Sequence, residues 1–296
     1  MSAKAVNPGK NLLILHLTVF IWGFTGILGA LISINAVQLV WYRVLIASIT
    51  LFVYFKFSKT SLKVEKRQFL AFFFTGSIVA LHWILFFQAI KVSTVSVTLV
   101  CLSSFTLFTA ILEPLIKKQK LQTADIIVGL MIIFGIYLIF KFESRYTSGI
   151  ILGLSAALAS SLFATINSVL VQKSNPVIIG FYEITAAFFW ITLYRLFDGS
   201  LLLERFSLST SDWLYLMLLG TICTALAYVA GVAVMRTLSA FRVALVTNLE
   251  PVYGILLAFI FFGTKEAMSI GFYLGAVIIL AAVFLYPRYK KYKKHD

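Results

Sequence analysis

Four side chains that can carry charge interrupt long apolar runs of the sequence: Arg43, His82, Glu183 and Glu250. In hydrocarbon such groups are costly, so they face a cavity or a partner and mark routes for solutes, ions or protons. Arg43 and Glu250 have opposite charges, and in a low dielectric each would leave the other uncompensated if removed. His82 titrates near neutrality and is a candidate carrier of a coupling proton, with Trp83 beside it as a stacking platform for a cation. The segment Asn248 to Tyr253 reads NLEPVY. Pro251 has no N–H for the Thr247 carbonyl, so an acceptor is freed next to Asn248 and Glu250, with the Tyr253 hydroxyl one turn on. Trp22, flanked by Gly23 and Gly26, is a candidate cavity wall, and Tyr228 and Glu183 are candidates for gating.

Each of these groups also has a plainer role. Arg43 can snorkel towards headgroups, Glu250 can hydrogen-bond across helices, and His82 can sit neutral against a neighbouring helix. His16 falls near a membrane face, and Asn167 and Gln172 near the inner end of a helix, where capping accounts for them. Glu113 reads as a surface ion pair with Lys117 and Lys118. No Walker sequence, GxGxxG turn, HExxH helix or nucleophile elbow occurs, so neither ATP-driven transport nor a cofactor is expected. Cys101 and Cys223 both lie in apolar runs and form no disulfide or metal spacing.

The elements that must hold these groups are membrane helices. The 296 residues are 61% hydrophobic and 12% charged, where a soluble domain carries roughly 25% charge. Apolar runs long enough to cross about 30 Å of hydrocarbon follow one another with short connections. They predict ten spans, at 12–32, 37–57, 69–90, 94–116, 124–140, 148–171, 176–197, 212–236, 239–262 and 267–287. The first run is too long for a signal peptide and is expected to be an uncleaved helix.

The net charge of +14 would suggest nucleic acid in a soluble protein, but here it is explained by the membrane. Eighteen Lys and Arg fall on one side of the predicted spans and six on the other, with Arg43 left inside. Basic residues stay cytoplasmic, which puts both termini inside and makes the span count even. A multi-pass protein of the plasma (inner) membrane is expected, a monomer or homodimer in the lipid bilayer with a small-molecule solute as partner. With that orientation and a rise of about 1.5 Å per residue, Arg43 and His82 lie roughly 10 Å below the outer face and Glu250 near the midplane. Glu183 lies about 10 Å above the inner face, which argues against an Arg43–Glu183 bridge and favours Arg43 with Glu250.

Residues 89–116 can be laid over the stretch starting at Ala233, and VWYR at 40–43 matches GFYE at 180–183 in position. Five spans per half is odd, so the halves 1–146 and 147–296 should enter the membrane from opposite faces as inverted repeats. Such pairs place a binding site near the midplane and support alternating access. The five-plus-five layout, WGF at 22–24, WYR at 41–43 and LEPVYG at 249–254 resemble the EamA family of the drug/metabolite transporter superfamily. The resemblance implies a ten-helix secondary transporter of amino acids, sugars or related metabolites, one five-helix EamA-like repeat in each half, working without ATP. Ser104 stands where the first half would match Pro251. A proton-coupled exporter of a metabolite such as an amino acid is the leading expectation; a membrane-embedded enzyme or a non-transporting subunit is the alternative.

Overall fold

A computed structural model of the chain describes residues 8–58, 60–119, 123–203 and 208–292. The described residues are almost entirely helical. In chain order the helices are α1 (Pro8–Leu31), α2 (Ala36–Ser58), α3 (Lys66–Val92), α4 (Val95–Leu102), α5 (Phe105–Lys117), α6 (Thr123–Phe142) and α7 (Thr147–Leu170). They continue as α8 (Pro176–Phe197), α9 (Ser200–Leu203), α10 (Thr210–Gly220), a π-helical turn (Thr221–Leu226), α11 (Ala227–Val234), α12 (Ala240–Thr247), α13 (Leu249–Phe262) and α14 (Ile270–Tyr292). Among the described residues eight stretches are long and apolar enough to cross a membrane, including Val95–Lys117, Thr210–Val234 and Ala240–Glu266, each built from consecutive helical pieces. Two shorter apolar stretches, Ile127–Phe142 and Ile270–Ala282, belong to α6 and α14. The helices are apolar all round. Large residues such as Leu130, Ile260 and Phe197 are exposed, as expected where lipid rather than water is the solvent.

Hydrogen bonds gather the turns into two sets. In one, Lys91 donates to the Ile32 carbonyl, the Ser33 N–H and hydroxyl donate to Asp212, the Val95 and Ser96 N–H groups donate to Glu266, and the Ser269 N–H donates to Glu143. In the other, Tyr182 donates to the Leu62 carbonyl, Gln68 to Ser174, Arg236 to the Ser174 carbonyl, Gln172 to the Met235 carbonyl and Asn11 to Thr237. The long helices run from one set to the other. Lys10, Lys56, Lys63, Lys173 and Arg236 lie at the second end, and Lys91, Arg145 and Lys265 at the first.

The packing of the first half echoes that of the second. α1 lies on α13, and α7 lies on α4 and α5; α3 packs on α8, and α2 on α10 and the π-helical turn. Three contacts join matching spans: α2 with α8, the two broken spans crosswise (α4 with α13 and α5 with α12), and α6 with α14. The α6–α14 pair closes on glycine, where a Cβ built on Gly135 would stand 2.8 Å from the Gly275 carbonyl and one on Gly275 2.6 Å from the Gly135 carbonyl. Backbones that close make the van der Waals contacts on which helices associate in lipid. Gly76 does the same for α3, its Cβ position falling 2.5 Å from the Glu183 carbonyl and 3.2 Å from the Ala187 nitrogen. Neither backbone atom can step aside, so Gly76→Val should force α3 off α8. Its expected result is at least a threefold loss of monodisperse protein by fluorescence-detected size exclusion.

Two spans break in mid-course. The first gives way between α4 and α5, at Ser103 and Ser104, and the second between α12 and α13, at Asn248. The break in the second span is thus not at Pro251. Pro251 lies in the first turn of α13, where N–H groups lack an intrahelical acceptor and proline is tolerated. The two breaks face each other, since the Asn248 amide donates to the Thr106 hydroxyl and to the Ala244 carbonyl.

Candidate solute cavity

Arg43 is placed by α2, which also presents Trp41 to Thr192 of α8. The residue is 2% exposed. Nε donates to the Thr224 hydroxyl at 2.6 Å, and Thr224 in turn donates to the Leu219 carbonyl, five residues back, at 2.6 Å. That wider ring belongs to the π-helical turn, a local widening that recurs at functional sites because it turns side chains out of the regular helical register. The Arg43 guanidinium stacks 4.3 Å from the centroid of Trp83 and 5.3 Å from Phe87. Its Nη1 has no hydrogen-bond partner among the described residues.

Arg43 and Trp83 line a cavity of about 810 Å³, open space at its mouth included. Trp22, Thr25, Arg43, His82, Trp83, Phe105, Phe163, Asn167, Cys223, Tyr228, Thr247 and Glu250 contribute to its wall. The wall is apolar and aromatic with a few convergent polar groups, the usual composition of a small-molecule site. Of the residues singled out from sequence, Trp22, Arg43, His82, Trp83, Tyr228 and Glu250 meet here. Asn248 lies behind the wall, tied to Thr106. Tyr253 packs edge-on to Phe20, 5.5 Å between ring centroids, with its Cβ against Gly23. Pro251 holds no N–H for the Thr247 carbonyl, and Thr247 reaches the wall.

Arg43 and Glu250 share the cavity and interact electrostatically across it, but no ion pair closes between them. This corrects the bridge expected from depth. Height along the membrane normal says nothing of which helices are neighbours: α2 packs on α3, α8, α10 and the π-helical turn, whereas α13 packs on α1 and α4. His82 is buried, with Nδ1 2.8 Å from the Ala156 carbonyl of α7, to which it can only donate. Phe163 stands edge-on to its ring at 5.5 Å.

Glu183 is absent from the wall. Its Oε2 accepts from Tyr228 at 2.6 Å and from Asn167 at 2.9 Å, and the Asn167 amide reaches the Tyr228 oxygen at 3.2 Å. Asn167 therefore does more than cap an inner helix end. Glu113 also differs from the sequence reading: it takes Lys117 at 2.6 Å, yet it is 6% exposed and its second oxygen accepts the Phe241 N–H of α12 at 2.7 Å.

The model of the EamA-like transporter family matches residues 10–141 and again residues 147–286. The chain belongs to that family. Two copies of one family unit fill it, and its many apolar helices make it a multi-pass membrane protein of transporter type. A solved crystal structure superposes with a TM-score of 0.68 at 16% identity, covering 94% of this chain and 98% of that chain, and shares the fold. No curated protein matches the sequence.

Proposed function

We propose that this EamA-family protein is a secondary transporter of an amino acid or a similar small metabolite, working by alternating access, with export the direction to be tested first. In this reading α6 and α14 also cross the bilayer, giving ten spans in two inverted repeats. The reciprocal packing of the halves and the two sets of turns support that topology. The basic end is cytoplasmic and carries both termini, in line with the retention of Lys and Arg on the inner side of a plasma (inner) membrane.

One observation carries the substrate class. Arg43 and Glu250 present opposite charges on one cavity wall without joining each other, so a zwitterion can take a carboxylate contact at one and an ammonium contact at the other. An arginine fork suits a carboxylate, and Trp83 beneath it fixes the fork's plane. Trp22, Phe105 and Phe163 leave apolar space for a side chain. A proton gradient is the driving force proposed.

Counterflow of a panel of radiolabelled L-amino acids into liposomes tests the reading, and a wild-type protein that exchanges none of them removes it. Cys223 gives a second readout because it lines the cavity, while Cys101 is packed away against Gly153. In the Cys101→Ala background, a transported amino acid is expected to slow maleimide labelling of Cys223 at least threefold.

A further inference from the structure

Among the described residues the buried carboxyl groups fall into three kinds. Glu250 lies on the cavity wall opposite Arg43. Asp212, Glu143, Glu266 and Glu113 sit near helix ends, and each accepts at least one backbone N–H from another element. Those N–H groups carry the positive end of a helix or turn and compensate the charge. Glu183 stands apart from both. It lies in the middle of α8 at 0% exposure, takes no backbone N–H, and has no cation within 4.0 Å among the described residues. Two neutral donors share its Oε2, and its Oε1 has no partner.

The surroundings of Glu183 hold little else that can titrate. On α11 the facing group is Tyr228, and on α7 it is the amide of Asn167, whose own Oδ1 is likewise unpartnered. α3 brings Gly76 to the Glu183 backbone, and α2 meets α8 through Trp41 and Phe55, on Phe188 and Phe181. Arg43 is engaged with Thr224 and Trp83, and His82 with Ala156. A carboxylate without a countercharge is expensive in such a place, so the group is suited to gaining and losing a proton as the surroundings open and close. Tyr228 and Asn167 both line the solute cavity, and Tyr228 packs on Trp83 at 5.7 Å and Phe163 at 6.0 Å. A solute that shifts these rings shifts the donor on Glu183.

We infer that Glu183 carries the coupling proton, exchanged with the solute cavity past Tyr228 and Asn167, an assignment that rests on the transport reading above. The step is a plain acid–base exchange: the carboxyl O–H bond breaks, the proton passes to water on the side to which the cavity is open, and the charge stays on Glu183. The proton returns from the other side after the cavity has reoriented.

Two measurements on the full-length protein test this. The first is solute-free: infrared difference spectra of proteoliposomes titrated with acid and base should contain a carboxylic-acid carbonyl band that Glu183→Gln removes. Tyr228→Phe, which leaves the carboxyl in place but takes away its shortest donor, should shift that band, and it serves if Glu183→Gln folds poorly. In the second, L-phenylalanine is the probe together with any other amino acid for which wild type shows counterflow. Glu183→Gln should cut accumulation driven by a pH gradient more than tenfold, while exchange without a gradient falls less than threefold. A band unchanged by both variants, or gradient-driven accumulation that survives Glu183→Gln, overturns the assignment. Absence of counterflow in wild type overturns the transport reading instead, and the infrared arm then still decides whether Glu183 exchanges a proton.

Discussion

Arg43→Met is expected to reduce solute counterflow at least a hundredfold while the protein still inserts and purifies. Methionine fills much of the volume, so the apolar stacking against Trp83 and Phe87 is partly kept. The fork is lost, and with it the cation that faces Glu250 across the cavity. Truncating one partner of a buried, hydrogen-bonded charge contact with a bound solute costs about 2–5 kcal/mol or more of binding free energy, and about 2.8 kcal/mol is a hundredfold in a binding constant. Arg43→Lys should recover little. The ammonium is a point charge, which cannot both donate to Thr224 along the Nε direction and lie flat on Trp83. Thr224→Val, which leaves Arg43 in place without its acceptor, should fall between wild type and Arg43→Lys. Initial rates at matched protein density check the series, and counterflow by Arg43→Met within threefold of wild type would remove Arg43 from the site.

The sequence makes the apolar runs plain because lipid imposes a length and a composition that water does not. The pairing of Arg43 with Trp83, and of both with Glu250 around one cavity, was half legible. A rise per residue gives height, and height put Arg43 and His82 in one layer, but azimuth and helix neighbours have no such arithmetic. The π-helical turn at Thr221–Leu226 was hidden for another reason. TICTAL has ordinary apolar composition, and only the Thr224 bond to the Leu219 carbonyl and the reach of Arg43 distinguish it. Proline drew attention to position 251, yet Ser103 and Ser104 break the matching helix with no proline at all. The sequence places Asn167 and Glu183 towards the inner side and makes Tyr228 a gating candidate. Taken together they would have suggested the cluster; taken singly, each had a blander role.

The two broken spans are held by a reciprocal arrangement that explains why they can break and stay buried. At the start of α4 the Thr94 hydroxyl takes the Val97 N–H, and Glu266, from the end of the other broken span, takes Val95 and Ser96. At the start of α12 the Ser239 hydroxyl takes the Arg242 N–H, and Glu113, from the end of the first broken span, takes Phe241. Each span thus supplies the carboxylate that completes the other's N-terminus, where free N–H groups and the helix dipole favour a negative charge. Between these ends Asn248 joins Thr106 at the breaks.

Glu266→Ala should therefore be among the most destabilising single changes in the chain. It strips two charge-assisted acceptors from Val95 and Ser96, leaving buried N–H groups at a cost of about 1–3 kcal/mol each. For a large chain about 1 kcal/mol corresponds to roughly 2–4 °C of melting temperature, so a fall of about 4–24 °C is expected in a detergent-solubilised thermal unfolding curve. Glu266→Gln keeps an oxygen for one N–H and should lose about half as much. Glu113→Gln keeps an oxygen for its single N–H, from Phe241, and loses chiefly the charge of the Lys117 contact, which is partly exposed and weak. Its shift should be smaller than that of Glu266→Ala. Equal shifts for Glu266→Ala and Glu113→Gln would mean that the number of N–H groups left without an acceptor does not set the strength of the clip. A melting temperature unmoved by Glu266→Ala would mean that the ends of the broken spans hold without either carboxylate, leaving the Asn248–Thr106 contact to join them.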